Sequence, residues 1–285
     1  MFASNQYELV DFGDGEKLER FSGILVRRDC PAANQPKSKP AEWDPRAVSF
    51  SRESNQGWIN LDRIPQRWTM ELSSGIVLEL SPTPFGHLGM FAEQSVNWQW
   101  IGQRRGQLEG LRAINLFAYT GATTLALATA GASVTHVDSA RKVVSWARRN
   151  AELSGLATAP IRWIVDDALS FVRREIRRGK QYDIVVADPP SFGHGVKRQA
   201  WKFDRDLGAL LKDLAMVTDG SLRMALVTGH SVGYGAIDLA QDVARHLRIS
   251  RTKLDTGNMN LTTIGGADLM AGYYVRFACE SLGGR

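Results

Sequence analysis

The chain has 285 residues, of which 44% are apolar, and these values predict one large or two modest folded domains. No apolar run reaches the roughly 18 residues of a membrane-spanning helix, and the polar N-terminus lacks a signal-peptide pattern. We therefore expect a cytoplasmic protein with no membrane contact. Only Cys30 and Cys279 occur, far apart and without histidines at ligand spacing, which argues against a disulfide framework and against a bound metal.

The positive charge is concentrated in the second part of the chain. Residues 1–105 hold 12 basic and 13 acidic residues, a net charge of −1, whereas residues 106–285 hold 23 and 17, a net charge of +6. A basic domain suits a polyanionic partner. A solubilising surface explains the same excess equally well.

The N-terminal part is predicted to be a small β-rich module covering residues 1–90. Its clearest signal is a hairpin over 67–82, where apolar and polar residues alternate on both sides of Ser-Ser-Gly. Residues 30–46 are rich in Pro, Lys and Asn without periodicity, and they predict a long loop or a segment that orders on binding. A helix over 91–103 and a polar connector complete a segment at 91–110.

From residue 111 to 285, apolar runs of strand length alternate with longer helical segments. This alternation predicts an α/β fold with a doubly wound, Rossmann-like, seven-stranded sheet that is mostly parallel, its last strand antiparallel. Strands are predicted at 113–118, 133–138, 161–165, 182–188, 222–228, 247–254 and 272–279, and helices at 122–130, 140–154, 168–179, 202–217 and 235–246.

Ligands of open α/β sheets bind beyond the carboxyl ends of the strands, so the residues after each strand are site candidates. Gly121 follows the first strand, and a single glycine suits a ligand without phosphate better than a dinucleotide. An ordinary tight turn is the alternative. Asp138 ends the second strand, where its carboxylate can accept hydrogen bonds from a ribose diol while Ser139 caps the next helix.

The third and fourth strands end in further acidic residues. After the third strand, either Asp166 or Asp167 can accept from an adenine amino group while the other caps a helix. The fourth strand is followed by Asp188-Pro189-Pro190, in which the prolines fix the backbone direction and leave carbonyl acceptors beside the carboxylate.

Two aromatic side chains complete the candidate site. Phe192, just after the prolines, can stack on a flat base. His230 follows the fifth strand and is either a substrate contact or base, or a structural histidine.

The runs NLFAYTGATTLALATAGASVTHVDSA, ARRNAELSGL, VDDALSF and YDIVVADPPSFG resemble the class I S-adenosylmethionine-dependent methyltransferases. More narrowly, residues 86–285 are similar to the bacterial branch that modifies large-subunit ribosomal RNA at cytosine carbon 5 or guanine nitrogen 7. The resemblance implies S-adenosyl-L-methionine as cofactor and RNA as substrate. Catalytic roles follow for Asp188, Pro189, Pro190 and Phe192, and cofactor contacts for Phe91, Gln94, Phe117, Tyr119, Gly121, Asp138, Ser139, Asp166, Asp167 and Asp188.

The position of the cysteines bears on the atom that receives the methyl group. Transfer to carbon 5 of a pyrimidine needs a cysteine thiolate that attacks the ring, and related enzymes carry it after the fourth or fifth strand. Here those places read DPPSFG and TGHS. We therefore expect direct, in-line transfer to a nitrogen.

RNA contacts are predicted from basic and aromatic residues that alternate after the Pro-Pro loop. They are Lys197, Arg198, Trp201 and Lys202, with His230 as a further substrate contact. Four arginines in the helix predicted at 168–179 form a basic face, for which a solvated surface is the alternative.

Three other functions stay open from the sequence. They are a methyltransferase for a small molecule or a protein, a nicotinamide oxidoreductase, and a non-catalytic RNA-binding protein that keeps a cofactor fold. The single-glycine loop and the Pro-Pro motif count against the oxidoreductase. The oligomeric state and the modified nucleotide stay unassigned.

Overall fold

The computed structural model describes residues 2–3, 5–52, 57–193, 201–231, 233–280 and 282. The chain divides into two compact units. The first consists of Met1–Val96 with Asn260–Ala271, and the second of Asn97–Met259 with Gly272–Arg285. Among the described residues, no helix combines the length and the apolarity needed to cross a membrane.

The first unit holds a five-stranded sheet in the order β1-β2-β3-β4-β5 and a separate hairpin of β6 and β7. Two tight turns connect its first three strands, one at Asp14-Gly15 and one at Ser22-Gly23, and all four residues have positive φ. Such turns match the right-handed twist of the strands that they join. The strands are β1 Tyr7–Gly13, β2 Glu16–Phe21, β3 Ile24–Asp29, β4 Val48–Ser51, β5 Gly57–Ile59, β6 Trp68–Glu71 and β7 Val77–Leu80.

The Pro- and Lys-rich segment at 30–46 is an ordered loop, tied to the sheet by the buried carboxylate of Asp11. This carboxylate accepts from the Lys39 amide at 2.8 Å, from the Trp43 indole at 2.7 Å and from the Ser38 hydroxyl. Burial alone would raise the pKa of Asp11, but these hydrogen bonds lower it below its ordinary value. These hydrogen bonds tie the predicted long loop to the sheet of its own unit.

The second unit is built on a seven-stranded sheet in the order β10-β9-β8-β11-β14-β16-β15. Strands β10, β9, β8, β11 and β14 run parallel, and β16 pairs antiparallel with β14, as the sequence predicts. The strands are β8 Arg112–Leu116, β9 Ser133–Asp138, β10 Ile161–Val165, β11 Ile184–Ala187, β14 Met224–Gly229, β15 Asp255–Thr262 and β16 Asp268–Ala278; a short hairpin consists of β12 Phe192–Gly193 and β13 Trp201–Lys202.

The helices alternate with these strands, so the α/β prediction is confirmed. Apolar side chains of α4, α5 and α6 pack with the central strands in a single core, which includes Phe171, Leu210, Leu214 and Val243. The helices are α1 Ser95–Gly102, α2 Ala122–Thr129, α3 Arg141–Leu153, α4 Ala168–Arg177, α5 Phe203–Val217 and α6 Ala236–Leu247.

The prediction of a strand over 247–254 is wrong. Helix α6 extends to Leu247, a 3-10 turn covers Arg251–Lys253, and the strand lies at Asp255–Thr262 instead. This strand is at the edge of the sheet, and only Met259 and Leu261 are buried among its eight residues. Because so few of its residues face the core, its sequence reads as a polar loop.

Candidate active site

The parallel strands of the second unit end level with one another. Leu116, Val137, Ile164 and Ala187 occupy one row across four neighbouring strands. The chain positions that follow this row therefore emerge side by side at the carboxyl edge, where open α/β sheets bind ligands. These positions include the predicted residues Phe117, Asp138 and Asp188, together with the loops that carry Gly121, Asp166 and Asp167.

The loop between β8 and α2 has an unusual backbone. Phe117, Tyr119 and Gly121 have φ values of 55°, 49° and 89°. A left-handed conformation costs a non-glycine residue about 1–3 kcal/mol, and such residues cluster at ligand sites. At Gly121 a Cβ atom would lie 3.0 Å from the Cβ of Ala147, so the glycine allows the loop to lie close to α3.

A buried polar network supports this loop from inside. The Asn115 amide donates to the Thr124 hydroxyl at 2.9 Å, and the Thr124 oxygen lies 2.9 Å from Nδ1 of His136. Burial, with the charge of Arg148 as a smaller cause, lowers the pKa of His136 to about 3. His136 is therefore neutral at physiological pH. No sequence motif indicated this network, because its members come from two strands and a helix.

Asp138 is half-buried at the end of β9, and both of its carboxylate oxygens accept backbone amides. Oδ2 accepts from Tyr119 at 3.0 Å, and Oδ1 accepts from Ala140 at 2.9 Å. Burial raises the pKa of the carboxyl, and the amides of Ala140, Tyr119 and Ser139 offset only part of this rise. A carboxylate oxygen has two lone pairs, so each one can still accept a ribose hydroxyl.

The two acidic residues after β10 have different partners. Asp167 is the N-cap of α4, where its Oδ1 accepts from the Ser170 amide at 2.8 Å. Asp166 accepts from the Asp167 amide at 2.9 Å and forms an ion pair with Arg174. The capping role therefore falls to Asp167, and a contact of either carboxylate with an adenine amino group stays a prediction.

Asp188 is anchored to the neighbouring strand β14. Its Oδ1 accepts from the Thr228 hydroxyl and lies 3.1 Å from Nε2 of His230. At Gly272, a Cβ atom would lie 2.6 Å from Nδ1 of His230, so the glycine leaves room for this ring. Thr228 was not among the predicted site residues, because its contact with Asp188 depends on strand pairing that local sequence does not encode.

The short hairpin β12–β13 follows the Pro-Pro loop. Phe192 pairs with Lys202, and both are exposed, Phe192 to 76%. Trp201 is only 6% exposed, and its indole donates to the carbonyl of Pro190 at 2.7 Å. The predicted RNA contacts Lys197 and Arg198 lie outside the described residues.

Two predicted cofactor contacts belong to the first unit, and the predicted basic face of α4 has partners of its own. Phe91 and Gln94 belong to the first unit, where the Phe91 ring contacts His87. In α4 and at its C-cap, ion pairs join Arg173 to Asp213, Arg174 to Asp166 and Arg178 to Glu175. These pairs favour the alternative of a solvated surface for the arginines of that helix.

The cysteine of the second unit is remote from the carboxyl edge. Cys279 follows β16, and its amide donates to Arg223, which precedes β14. Because β16 runs antiparallel to β14, Cys279 is at the opposite end of the sheet from Thr228 and His230. Within the described residues, no group of three or more His, Cys, Asp or Glu side chains could hold a metal.

The chemistry of the strand ends fits S-adenosylmethionine. Asp138, Asp167 and Asp188 bring carboxylates to the edge, and a sulfonium cation is attracted by negative charge. The pyrophosphate of a nicotinamide dinucleotide would require a glycine-rich loop, whereas the loop between β8 and α2 contains the single glycine Gly121. Asp138 offers the acceptors that a ribose diol requires.

Comparison with known proteins agrees with this geometry. The profile of the S-adenosylmethionine-dependent methyltransferase family matches residues 50–247. A crystal structure of a SAM-dependent methyltransferase from Agrobacterium tumefaciens is 29% identical, with a TM-score of 0.87 over 98% of this chain and 92% of that chain. A structure from Streptococcus mutans, 16% identical with a TM-score of 0.76 over 96% of this chain and 75% of that chain, shares the fold.

Among curated proteins, the ribosomal RNA large subunit methyltransferase K/L of Shewanella sp. (strain MR-4) is 31% identical over 184 residues. The alignment covers 60% of this chain but 25% of that relative, so the chain spans about a quarter of the curated proteins that it matches. The family profile covers well over half of the chain. The chain therefore belongs to the S-adenosylmethionine-dependent methyltransferase family, and its cofactor is S-adenosyl-L-methionine.

Proposed function

We propose that the protein methylates a nitrogen of a base in RNA, with large-subunit ribosomal RNA as the substrate, by direct in-line transfer. The observation that carries the proposal is the anchored carboxylate of Asp188 beside the Pro-Pro loop. It lies one position beyond the row of strand ends, held by Thr228 and His230. A ribosomal RNA substrate also implies that the protein works in the cytoplasm.

The hydrogen-bond acceptors of the Asp188-Pro189-Pro190 loop favour a target nitrogen that carries a hydrogen. A carboxylate accepts hydrogen bonds and cannot donate them, so Asp188 pairs with an N–H group. Bound S-adenosylmethionine supplies the methyl group on its sulfonium sulfur. On transfer the methyl group would leave the sulfur for the nitrogen, and Asp188, which accepts the hydrogen bond of the N–H group, would take up the proton that the nitrogen gives off. The task of the protein is to align donor and acceptor and to exclude water.

The cysteine positions support transfer without a covalent intermediate. A carbon-5 mechanism needs a thiolate at the carboxyl edge of the sheet. Neither the loop after β11 nor the loop after β14 contains a cysteine. Cys279 is at the opposite end of the sheet.

The hairpin β12–β13 supports RNA as the substrate class. Residues directly opposite each other in an antiparallel pair project to the same face, so Phe192 and Lys202 share one exposed surface. An aromatic ring beside an ammonium group suits a nucleotide, because the ring stacks on the base and the charge contacts phosphate. The name of the curated relatives agrees with this substrate, although the chain spans only a quarter of their length.

The test is transfer of labelled methyl groups to cellular RNA. RNA from a strain that lacks the gene is incubated with the protein and methyl-tritiated S-adenosylmethionine, then digested to nucleosides. We expect label in an N-methylated nucleoside of large-subunit RNA, and less label with Asp188→Asn than with the wild type. Label in 5-methylpyrimidine, or label confined to protein or small molecules in whole extract, would refute the proposal.

A further inference from the structure

Trp201 joins two loops of the active site. It lies in β13, and its ring packs edge-to-face with the ring of Phe117, with ring centroids 4.9 Å apart and an angle of 61° between the planes. Phe117 begins the loop between β8 and α2 and has a left-handed backbone. The indole nitrogen of Trp201 donates to the carbonyl oxygen of Pro190 at 2.7 Å. One buried side chain thus contacts both the loop expected to bind the cofactor and the loop expected to bind the target base.

The hairpin β12–β13 has an inner face, packed against the protein, and an exposed outer face. Trp201 pairs with Gly193, and Phe192 pairs with Lys202. A Cβ atom at Gly193 would lie 3.3 Å from Cγ of Pro190 and 3.6 Å from Cβ of Trp201, so the inner face is tightly packed. The hairpin has two residues in each strand, too few to hold itself by strand pairing alone. The packing of Trp201 therefore fixes the direction in which Phe192 points.

The hydrogen bond from the Trp201 indole also fixes a peptide group of the Pro-Pro loop. Proline restricts φ but leaves ψ variable, so the carbonyl of Pro190 can rotate unless something holds it. The N–H of Trp201 holds it, and the amide of Phe203 holds the next carbonyl, that of Ser191, at 3.2 Å. Asp188, at the start of this loop, is held from the other side by Thr228.

We infer that Trp201 is a positioning residue, which sets the orientation of the Pro-Pro loop and of Phe192 and links that orientation to the cofactor loop through Phe117. This inference rests on the proposed function for the identity of the target, but not for the coupling between the two loops. It replaces the expectation that Trp201 stacks on RNA, since a ring with 6% exposure has no open face for a base.

The first arm of the test measures turnover and cofactor affinity separately. Trp201→Phe keeps a ring against Phe117 but removes the N–H, so we expect kcat to fall roughly tenfold or more, because small displacements of reacting groups are costly. The Kd for S-adenosylhomocysteine should stay within about twofold, since no direct cofactor contact is lost. A merely structural role would lower the melting temperature without separating kcat from Kd.

Trp58→Phe is the matched control. Trp58 makes the same kind of bond in the first unit, from its indole to the carbonyl of Thr83 at 2.6 Å. The Trp58→Phe variant should lose a similar amount of thermal stability as Trp201→Phe and keep the turnover of the wild type. Equal kcat values for Trp201→Phe and Trp58→Phe would overturn the inference.

The second arm requires no RNA. The full chain is labelled with 5-fluorotryptophan, and the fluorine resonance of Trp201 is assigned among the eight tryptophans by its loss in Trp201→Phe. Saturating S-adenosylhomocysteine should shift this resonance, because the ring packs on Phe117. An unshifted resonance would overturn the coupling. If wild-type protein methylates no RNA, the proposed function fails, and this arm still decides on the inference.

Discussion

Asp138 offers the sharpest quantitative prediction, because its carboxylate is the acceptor that a ribose diol would use. Two charge-assisted hydrogen bonds contribute about 1.5–3 kcal/mol each. Even the lower value for both bonds together, about 3 kcal/mol, corresponds to a Kd increase of roughly 150-fold for S-adenosylhomocysteine in Asp138→Ala. Loss of the Tyr119 amide contact at 3.0 Å adds to the effect by loosening the loop.

The pH dependence of binding has a defined sign. Burial raises the pKa of Asp138 above its ordinary 3.8. As the pH falls through this raised value, the carboxylate becomes protonated and loses acceptor strength, so cofactor affinity falls at a higher pH than an ordinary aspartate would produce. Titration calorimetry of wild type and Asp138→Ala between pH 7.5 and 4.5 measures both effects.

The control for this experiment is Asp183→Ala. Asp183 precedes β11 at the opposite edge of the same sheet, where it accepts from the Arg112 amide at 2.8 Å. Removing it should reduce stability without changing cofactor affinity. A Kd for Asp138→Ala within about threefold of the wild type would contradict the reasoning, since a single neutral hydrogen bond accounts for a change of that size.

Three further predictions concern stability and mechanism. The pKa of His136 is about 3 in the folded protein and about 6.5 in the unfolded chain. Between these two values only the unfolded chain binds the proton. The free energy of unfolding is therefore fully present above pH 6.5 and falls by about 1.4 kcal/mol per pH unit toward pH 3. Urea unfolding of His136→Gln should be less acid-sensitive than that of the wild type; an equal slope would contradict this. Gly121→Ala should destabilise the protein by about 1–2 kcal/mol from its left-handed φ alone and weaken cofactor binding, so an unchanged melting temperature would be inconsistent with the loop geometry. Cys279→Ala should leave methyl transfer unchanged, and wild-type protein should not be trapped on 5-fluoropyrimidine RNA; loss of transfer would restore a thiol mechanism.

The α/β architecture was predictable because buried parallel strands form continuous apolar runs. Strand β11, for example, is Ile-Val-Val-Ala and is fully buried. The edge strand β15 was not predictable in the same way, since Met259 and Leu261 are its only buried residues and its polar face dominates the local sequence. The sequence-based domain boundaries near residues 90 and 110 remain predictions.

The candidate site was predictable to the extent that it follows strand ends. Asp138 and Asp188 could be found because each directly follows a buried run of strand length. Contacts made across strands could not be found in this way. Thr228 reaches Asp188 only through the pairing of β11 with β14, and Gly272 accommodates His230 only through the pairing of β14 with β16.

The role of Trp201 illustrates the same limit. Its position among basic residues indicated a surface for stacking on RNA, whereas its ring is buried against Phe117 and its N–H is bound to Pro190. Local composition does not reveal which face of a two-residue strand points inward. The register of the hairpin decides this, and it leaves Phe192 and Lys202 on the outside.

The central claim is that the carboxyl ends of β8, β9, β10 and β11 together hold the cofactor. A crystal structure of the protein with S-adenosylhomocysteine tests it most directly. We predict ribose hydroxyls hydrogen-bonded to Asp138, the amino acid moiety beside the loop of Gly121, and the sulfur facing Asp188. Cofactor density away from this edge, or a ribose that does not contact Asp138, would contradict it.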